Sequence, residues 1–224
     1  MTRPTPPTLR ATLGVALLAL TAGLFAALAA DLVYQGPVTQ ADARVGGWLQ
    51  GRVQPGFTQL MLAVTHLHSN TGIALMAAVA AVALIGRRQV AWLPVLAASV
   101  GGGLLLNVVV KHAFQRARPV WDEPLLTLHT YSFPSGHTAG ATVWWGFVTV
   151  LVFTHRPAWP WRAATLAVAI GMVSLTALSR VYLGVHHLSD VLAAVAEGCA
   201  WLVLCFMASM ASPWLRGPSP NGDP

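Results

Sequence analysis

The sequence predicts an all-α bundle of about six membrane-spanning helices, with a short interfacial helix in the first outer loop. Three observations lead there. Of 224 residues, 55% are hydrophobic and only 9% charged, whereas an ordinary soluble domain carries about 25% charged residues. Mean hydropathy is +0.62. Apolar runs of about 20 residues, the length a helix needs to cross a bilayer, recur along the chain.

Residues 1–10 are proline-rich and basic, and are expected to be an unstructured cytoplasmic end. The first span is Ala11 to Ala30, which carries no charge. It ends in small residues, as a cleavable signal would, but its apolar stretch is longer than a signal core, which favours a retained span. In the following loop, Val38, Ala41, Val45, Trp48 and Leu49 recur at helical spacing. That pattern fits a helix lying in the outer interface, with Trp48 as its anchor.

A second span falls within Phe57 to Ile85, closed by Arg87 and Arg88. The third covers about Val90 to Val110 and ends at Lys111, where a polar loop begins. The fourth, fifth and sixth cover about His137 to Phe153, Ala163 to Leu178 and Leu188 to Met207. Gly101 to Gly103, inside the third, allow close helix packing. Trp159 and Trp161 beside Arg162 read as an interfacial belt. Residues 11–212 form a single domain on this reading, and the Pro- and Gly-rich tail from 213 to 224 is expected to be disordered.

The net charge is +6 and the pI about 10.4. Nucleic acid is not the expected partner, because the 13 Lys and Arg are scattered without a basic run. Basic loops of a membrane protein explain the balance. With the N-terminus inside, Arg3, Arg10, Arg87, Arg88, Arg156, Arg162 and Arg216 fall on the cytoplasmic face. Cys199 and Cys205 are six residues apart, on different helix faces, and read as small apolar fillers.

Three polar clusters fall at span ends, all on the outer side: Lys111 to Pro119, Tyr131 to His137, and Ser179 to Asp190. In the second, Ser135 is a natural helix N-cap and Gly136 lets a ligand approach the backbone. A helix start with free N–H groups is a ready anion site; taken alone it is equally an ordinary cap. In the first, Lys111 and Arg118 are cations beyond a helix end, and Lys111 by itself is readily a snorkelling residue. Arg116 and His112 have no evident partner and read as surface. In the third, Asp190 follows His186 by four residues and His187 by three, so either ring could face it on a helix. A carboxylate on one ring nitrogen fixes the tautomer and frees the other nitrogen. Arg180 supplies a fork suited to phosphate oxygens.

Together these groups describe three cations and backbone donors around an anion, with one histidine oriented by an acid and another nearby. No carboxylate cluster suits a divalent metal, and no cofactor is expected. Metal-independent phosphoryl transfer fits: cations and N–H groups stabilise the equatorial oxygens, one imidazole attacks and the other protonates the leaving oxygen.

The three clusters resemble the signature of the type 2 phosphatidic acid phosphatase superfamily. K-x6-R-P is met by Lys111, Arg118 and Pro119; P-S-G-H by Pro134, Ser135, Gly136 and His137; S-R-x5-H-x3-D by Ser179, Arg180, His186 and Asp190. The resemblance implies that His186 is the nucleophile and forms a phosphohistidine, that Asp190 orients it, and that His137 is the general acid and then base. It implies that Lys111, Arg118, Ser135, Gly136 and Arg180 hold the phosphate. His187 becomes a bystander or a helper at the helix start.

A site on the outer face at membrane level suits a lipid phosphate substrate: phosphatidic acid, phosphatidylglycerol phosphate or undecaprenyl diphosphate. The protein is then a multi-pass enzyme of the cell (inner) membrane. The competing readings are a lipid phosphotransferase on the same scaffold and a non-enzymatic transporter or scaffold. The sequence does not address oligomeric state. Glu197 within the last span reads as a structural carboxyl bonded to another helix, or as lining for a tail pocket. Asn107, one turn before Lys111, either bonds across the bundle or approaches the site. His66 and His68 lack further ligands for a metal and read as interfacial or loop residues.

Overall fold

The computed structural model describes residues 7–121, 124–156 and 158–211. Among them the chain is all helical. The helices are α1 (Pro7–Val33), α2 (Pro37–Gln50), α3 (Pro55–Leu67), α4 (Asn70–Gly86), α5 (Trp92–Leu96), α6 (Gly103–Phe114), α7 (Gly136–His155), α8 (Trp159–Tyr182) and α9 (Leu188–Ala211). A π-helical stretch, Ala97–Gly102, joins α5 to α6 into one continuous span. The helix α1 already begins at Pro7, so residues 7–10 are ordered rather than part of an unstructured end; a proline suits a first helical turn because its missing N–H has no helical partner there. Residues 1–6 and the tail from 212 onward, including Arg3 and Arg216, lie outside the described residues.

Among the described residues, four stretches are long and apolar enough to cross a membrane: Ala11–Val33, Trp92–Phe114, Trp159–Tyr182 and Leu188–Ser209. The pair α3 and α4, bent by 54° at its break, passes the same test only when its two helices are taken together, as one broken span or as a re-entrant loop. The remaining long helix, α7, has 20 residues and lies among the others, packed against α4, α6, α8 and α9. Its first turns are rich in Gly, Ala and Thr, and the stretch from Thr138 to Trp144 is buried, as close packing against neighbouring helices requires. Gly102 and Gly103 lie against Trp201 and Val143, as close packing requires, while Gly101 meets nothing.

The break in the second span was not legible as such, and it decides between the two readings of His68. Ser69 caps α4 by accepting the Gly72 N–H at 3.1 Å. A Cβ on Gly72 would meet the Leu67 carbonyl at 2.1 Å, so the sharp bend depends on that glycine. His68 is a loop residue, in the turn between α3 and α4, and it does not lie at a surface. It is 1% exposed, and its ring bridges the Val64 carbonyl at 3.0 Å and the Trp145 indole N–H at 3.0 Å. Thus the break is pinned to α7.

Short helix α2 forms where its periodicity predicts. Asp31, at the end of α1, accepts the Val38 and Thr39 N–H groups at 3.2 and 2.7 Å and so caps α2. Trp48 is exposed, with the Arg52 guanidinium 4.2 Å from its ring centroid. The opposite face of α2 buries Asp42 and Gly46 against the bundle. At this same end the C-termini of α6 and α8 meet the N-termini of α7 and α9.

Candidate active site

That junction gathers the three polar clusters. Lys111, in the last turn of α6, donates to the carbonyls of Tyr131 and Pro134 at 2.8 and 2.9 Å. It thereby clamps the extended segment that leads into α7. Ser135 caps α7, accepting from the Thr138 N–H at 3.5 Å and the Thr138 hydroxyl at 3.1 Å. Its own N–H donates to the Asp190 carbonyl at 3.1 Å, tying the start of α7 to that of α9. Gly136 opens α7 beside Asn107. His137 follows it, close to the cations of Arg180, Arg118 and Lys111 and to the His186 ring.

The link from α8 to α9 delivers His186. Gly184 adopts φ +72°, a left-handed conformation that costs glycine little, and it packs against Trp121. The N–H groups of Val185 and His186 both return to the Arg180 carbonyl, at 3.2 and 3.3 Å. Two residues further, α9 begins. Asp190 lies in its first turn and is fully buried.

Asp190 accepts from four donors. Its Oδ2 takes the His186 Nδ1–H at 3.3 Å, the Ser132 hydroxyl at 2.5 Å and the His187 N–H at 2.8 Å. Its Oδ1 takes Arg116 Nη1–H at 2.5 Å. A carboxylate so surrounded is held as the anion. The geometry also separates the twin histidines: the His186 ring faces Asp190, whereas His187 offers only its backbone.

Arg118 uses all five of its N–H donors. They go to the Thr130 carbonyl and hydroxyl, the Tyr131 and Val185 carbonyls, and Nε2 of His186 at 3.2 Å. Arg180 is different. It is fully buried, and Nη1 donates to the Thr65 hydroxyl at 2.7 Å, but its Nε and Nη2 have no partner among the described residues. A buried guanidinium with unpaired N–H groups is costly unless an anion takes them. Burial also pushes the His186 ring down to about 3, although the bond to Asp190 and its charge pull the other way. The ring is therefore neutral at physiological pH.

Three participants escaped sequence reading. Arg116 is not a surface residue: its side chain is 12% exposed and bridges Asp190 to Asp42 on α2, the latter at 2.7 Å. Thr65, on α3, holds Arg180 and also bonds the Ser179 hydroxyl at 3.0 Å. Ser132 braces Asp190. By contrast His112 is exposed, as expected, its ring edge-on to Tyr131. Asn107 bonds across the bundle, donating to Glu197 Oε2 at 2.8 Å. Among the described residues no three His, Cys, Asp or Glu side chains converge as a metal set.

The model of the PAP2 superfamily matches residues 92–214. The chain is similar to phosphatidylglycerophosphatase B of Bacillus subtilis (strain 168), 28% identical over 186 residues that make up 82% of this chain and 89% of the relative. Among solved structures it is similar to a transmembrane PAP2 type phosphatidylglycerolphosphate phosphatase from Bacillus subtilis. That match has TM-score 0.74 and 26% identity, and covers 88% of this chain and 96% of the other. The fold is also shared with Aquifex aeolicus LpxE, at TM-score 0.57 and 22% identity over 76% of this chain and 95% of that one.

Proposed function

The chain belongs to the PAP2 superfamily, and from that premise we propose that it hydrolyses a lipid phosphate through a phosphohistidine on His186. The observation that carries the reading is Arg180: a buried guanidinium with two unpaired N–H donors, joined through its own carbonyl to the turn that presents His186.

The reaction would run as follows. A phosphate oxygen takes over the Arg118 N–H that now occupies His186 Nε2, which frees the Nε2 lone pair. Nε2 attacks phosphorus as the bond to the lipid oxygen breaks, and His137, held as the imidazolium by the anionic phosphate bound beside it, protonates that oxygen. The Nδ1–H stays on Asp190, whose charge offsets the cationic phosphohistidine. Water then attacks phosphorus, His137 takes its proton, and the P–N bond breaks to release phosphate. Arg180, Lys111, Arg118 and the N–H groups at the start of α7 stabilise the equatorial oxygens in both steps. No metal is needed on this reading, since cations of the chain fill that role.

Phosphatidylglycerol phosphate is the first substrate to try, because the similar Bacillus enzyme is named for it; phosphatidic acid and undecaprenyl diphosphate complete the panel. An apolar groove of about 940 Å³ supports a lipid tail. Leu24, Leu28, Ala177, Val191 and Val195 line it, on α1, α8 and α9. Its lining reaches Val191, the residue after Asp190, and extends along α9 to Met207. The catalytic end is proposed to face outward in the cell membrane, as the basic residues at the other end favour.

Purified protein in detergent tests this. Each lipid is offered in EDTA, and phosphate release is followed together with capture of an acid-labile phosphorylated protein. Release from at least one lipid and loss of the labelled intermediate in His186→Ala are expected. Turnover surviving in a His137→Ala, His186→Ala double variant would sink the mechanism. A requirement for magnesium after EDTA would sink its metal independence.

A further inference from the structure

A charged path leads from the interfacial helix α2 to the catalytic pair, and the motif residues do not include it. Arg116 lies between two carboxylates that come from opposite ends of the sequence. Nη2 donates to Asp42 Oδ2 at 2.7 Å, and Nη1 donates to Asp190 Oδ1 at 2.5 Å and to the Ser189 hydroxyl at 2.7 Å. The Arg116 carbonyl meanwhile accepts the Ser132 N–H at 2.8 Å, and the Ser132 hydroxyl donates to Asp190 Oδ2. One residue therefore fixes both oxygens of Asp190, the first directly and the second through Ser132.

Asp42 completes the frame. Its Oδ1 accepts the Ser189 N–H at 2.9 Å and its Oδ2 the Ser189 hydroxyl at 2.5 Å. It thus serves as a cap for the first turn of α9 from a different helix. Asp42 is 4% exposed and Asp190 fully buried. Burying such charges rarely adds net stability, because desolvation offsets their attraction. Their arrangement does something else: it sets the angle of the carboxylate that holds the His186 ring.

We propose that Arg116 and Asp42 are positioning residues for the reaction, holding the Asp190 carboxylate, and through it the His186 ring, in line for attack. The inference rests on the reading of His186 and Asp190 given under Proposed function. It also gives α2 a purpose. A helix lying at the membrane surface, capped by Asp31 of α1, braces the catalytic acid from outside the motif.

The test uses the full chain in detergent with phosphatidylglycerol phosphate, or phosphatidic acid where that is the better substrate. Thermal midpoints are taken first, so that only folded variants are compared. Arg116→Ala should lower kcat by roughly tenfold to a hundredfold, the scale of a misplaced reacting group, and leave KM nearly unchanged. Added guanidinium ion should restore part of that kcat, and Arg116→Lys should fall between. Asp42→Asn should lower kcat in the wild-type background and cost little more in Arg116→Ala, because it acts through the arginine. Wild-type kcat in folded Arg116→Ala and Asp42→Asn proteins overturns the proposal. So does a loss confined to KM, or a loss that follows stability and is not rescued by guanidinium. A parallel His186→Ala protein separates the two levels. If it is inert while the Arg116 and Asp42 variants turn over normally, this inference alone fails; if it is active, the functional reading itself fails.

Discussion

Arg118 donates from Nη1 to Nε2 of His186 across 3.2 Å. A guanidinium has donors only, so Nε2 must accept and cannot carry a proton. The ring proton therefore sits on Nδ1, which faces Asp190 Oδ2 at 3.3 Å. One contact fixes the tautomer, and it leaves the lone pair on the nitrogen that points among the cations.

Replacing each of the adjacent histidines should give opposite results. His186→Ala removes the lone pair, and kcat should fall by roughly 10⁴-fold or more, as when a nucleophile is deleted. His187→Ala keeps the backbone N–H that Asp190 uses and should retain most activity. Steady-state phosphate release and trapping of the phosphorylated intermediate read both.

Arg180 is expected to resist conservative change. Lysine offers a point charge in place of a fork and cannot supply the Nε and Nη2 donors while also reaching Thr65. Arg180→Lys should cost roughly 10²–10³ in kcat, the scale of losing a donor to the developing charge. Thr65→Val, which removes the hydroxyl that orients Nη1 at nearly constant shape, should cost less than Arg180→Lys. Thr65→Ser should stay near wild type. Kinetics on one lipid in detergent are sufficient.

The buried His186 ring also predicts a pH dependence of stability. Its pKa falls from an ordinary 6.5 to about 3 on folding, chiefly through burial. Between these values the unfolded chain binds the extra proton, so stability rises with pH. The contribution is complete above the unfolded value and is lost as pH drops toward the folded one. The wild type should therefore lose more thermal midpoint between pH 7 and pH 4.5 than His186→Gln does. Parallel curves for the two proteins would show that another group sets the slope.

What could be read from the sequence depended on how far apart the partners lie. The pairing of Asp190 with a histidine was legible from a spacing of four residues, which suits a helix face, although His186 itself lies in the turn before α9. Ser135 was legible as a cap from its place before an apolar run. Choosing His186 over His187 needed the family signature; the structure shows the physical cause, the turn at Gly184 and the return of the His186 N–H to Arg180. Arg116 was missed because both of its carboxylates are 74 residues away, one on each side. No local pattern reports such a bridge. The break in the second span did leave a trace, since His68, Ser69, Asn70, Thr71 and Gly72 form a polar, turn-prone cluster inside an apolar stretch.

Glu197 provides the last expectation. It lies two turns below Asp190 on α9, is 5% exposed, and accepts from Asn107 on α6 through Oε2, while Oε1 has no partner among the described residues. Asn107 in turn lies beside Gly136, so the pair ties α6 to α9 next to the start of α7. An amide oxygen can accept from Asn107 as a carboxylate does, and Glu197→Gln should keep both stability and activity. Glu197→Leu strands the buried Asn107 amide and should destabilise the fold by about 1–3 kcal/mol, the cost of an unsatisfied buried donor. Asn107→Leu in the Glu197→Leu background should recover part of that loss, because it removes the stranded group. Thermal unfolding of the three variants, with kcat on the same samples, decides between a structural pair and a tail-lining carboxyl. A Glu197→Gln protein of unchanged stability but altered preference among the three lipids would favour the tail.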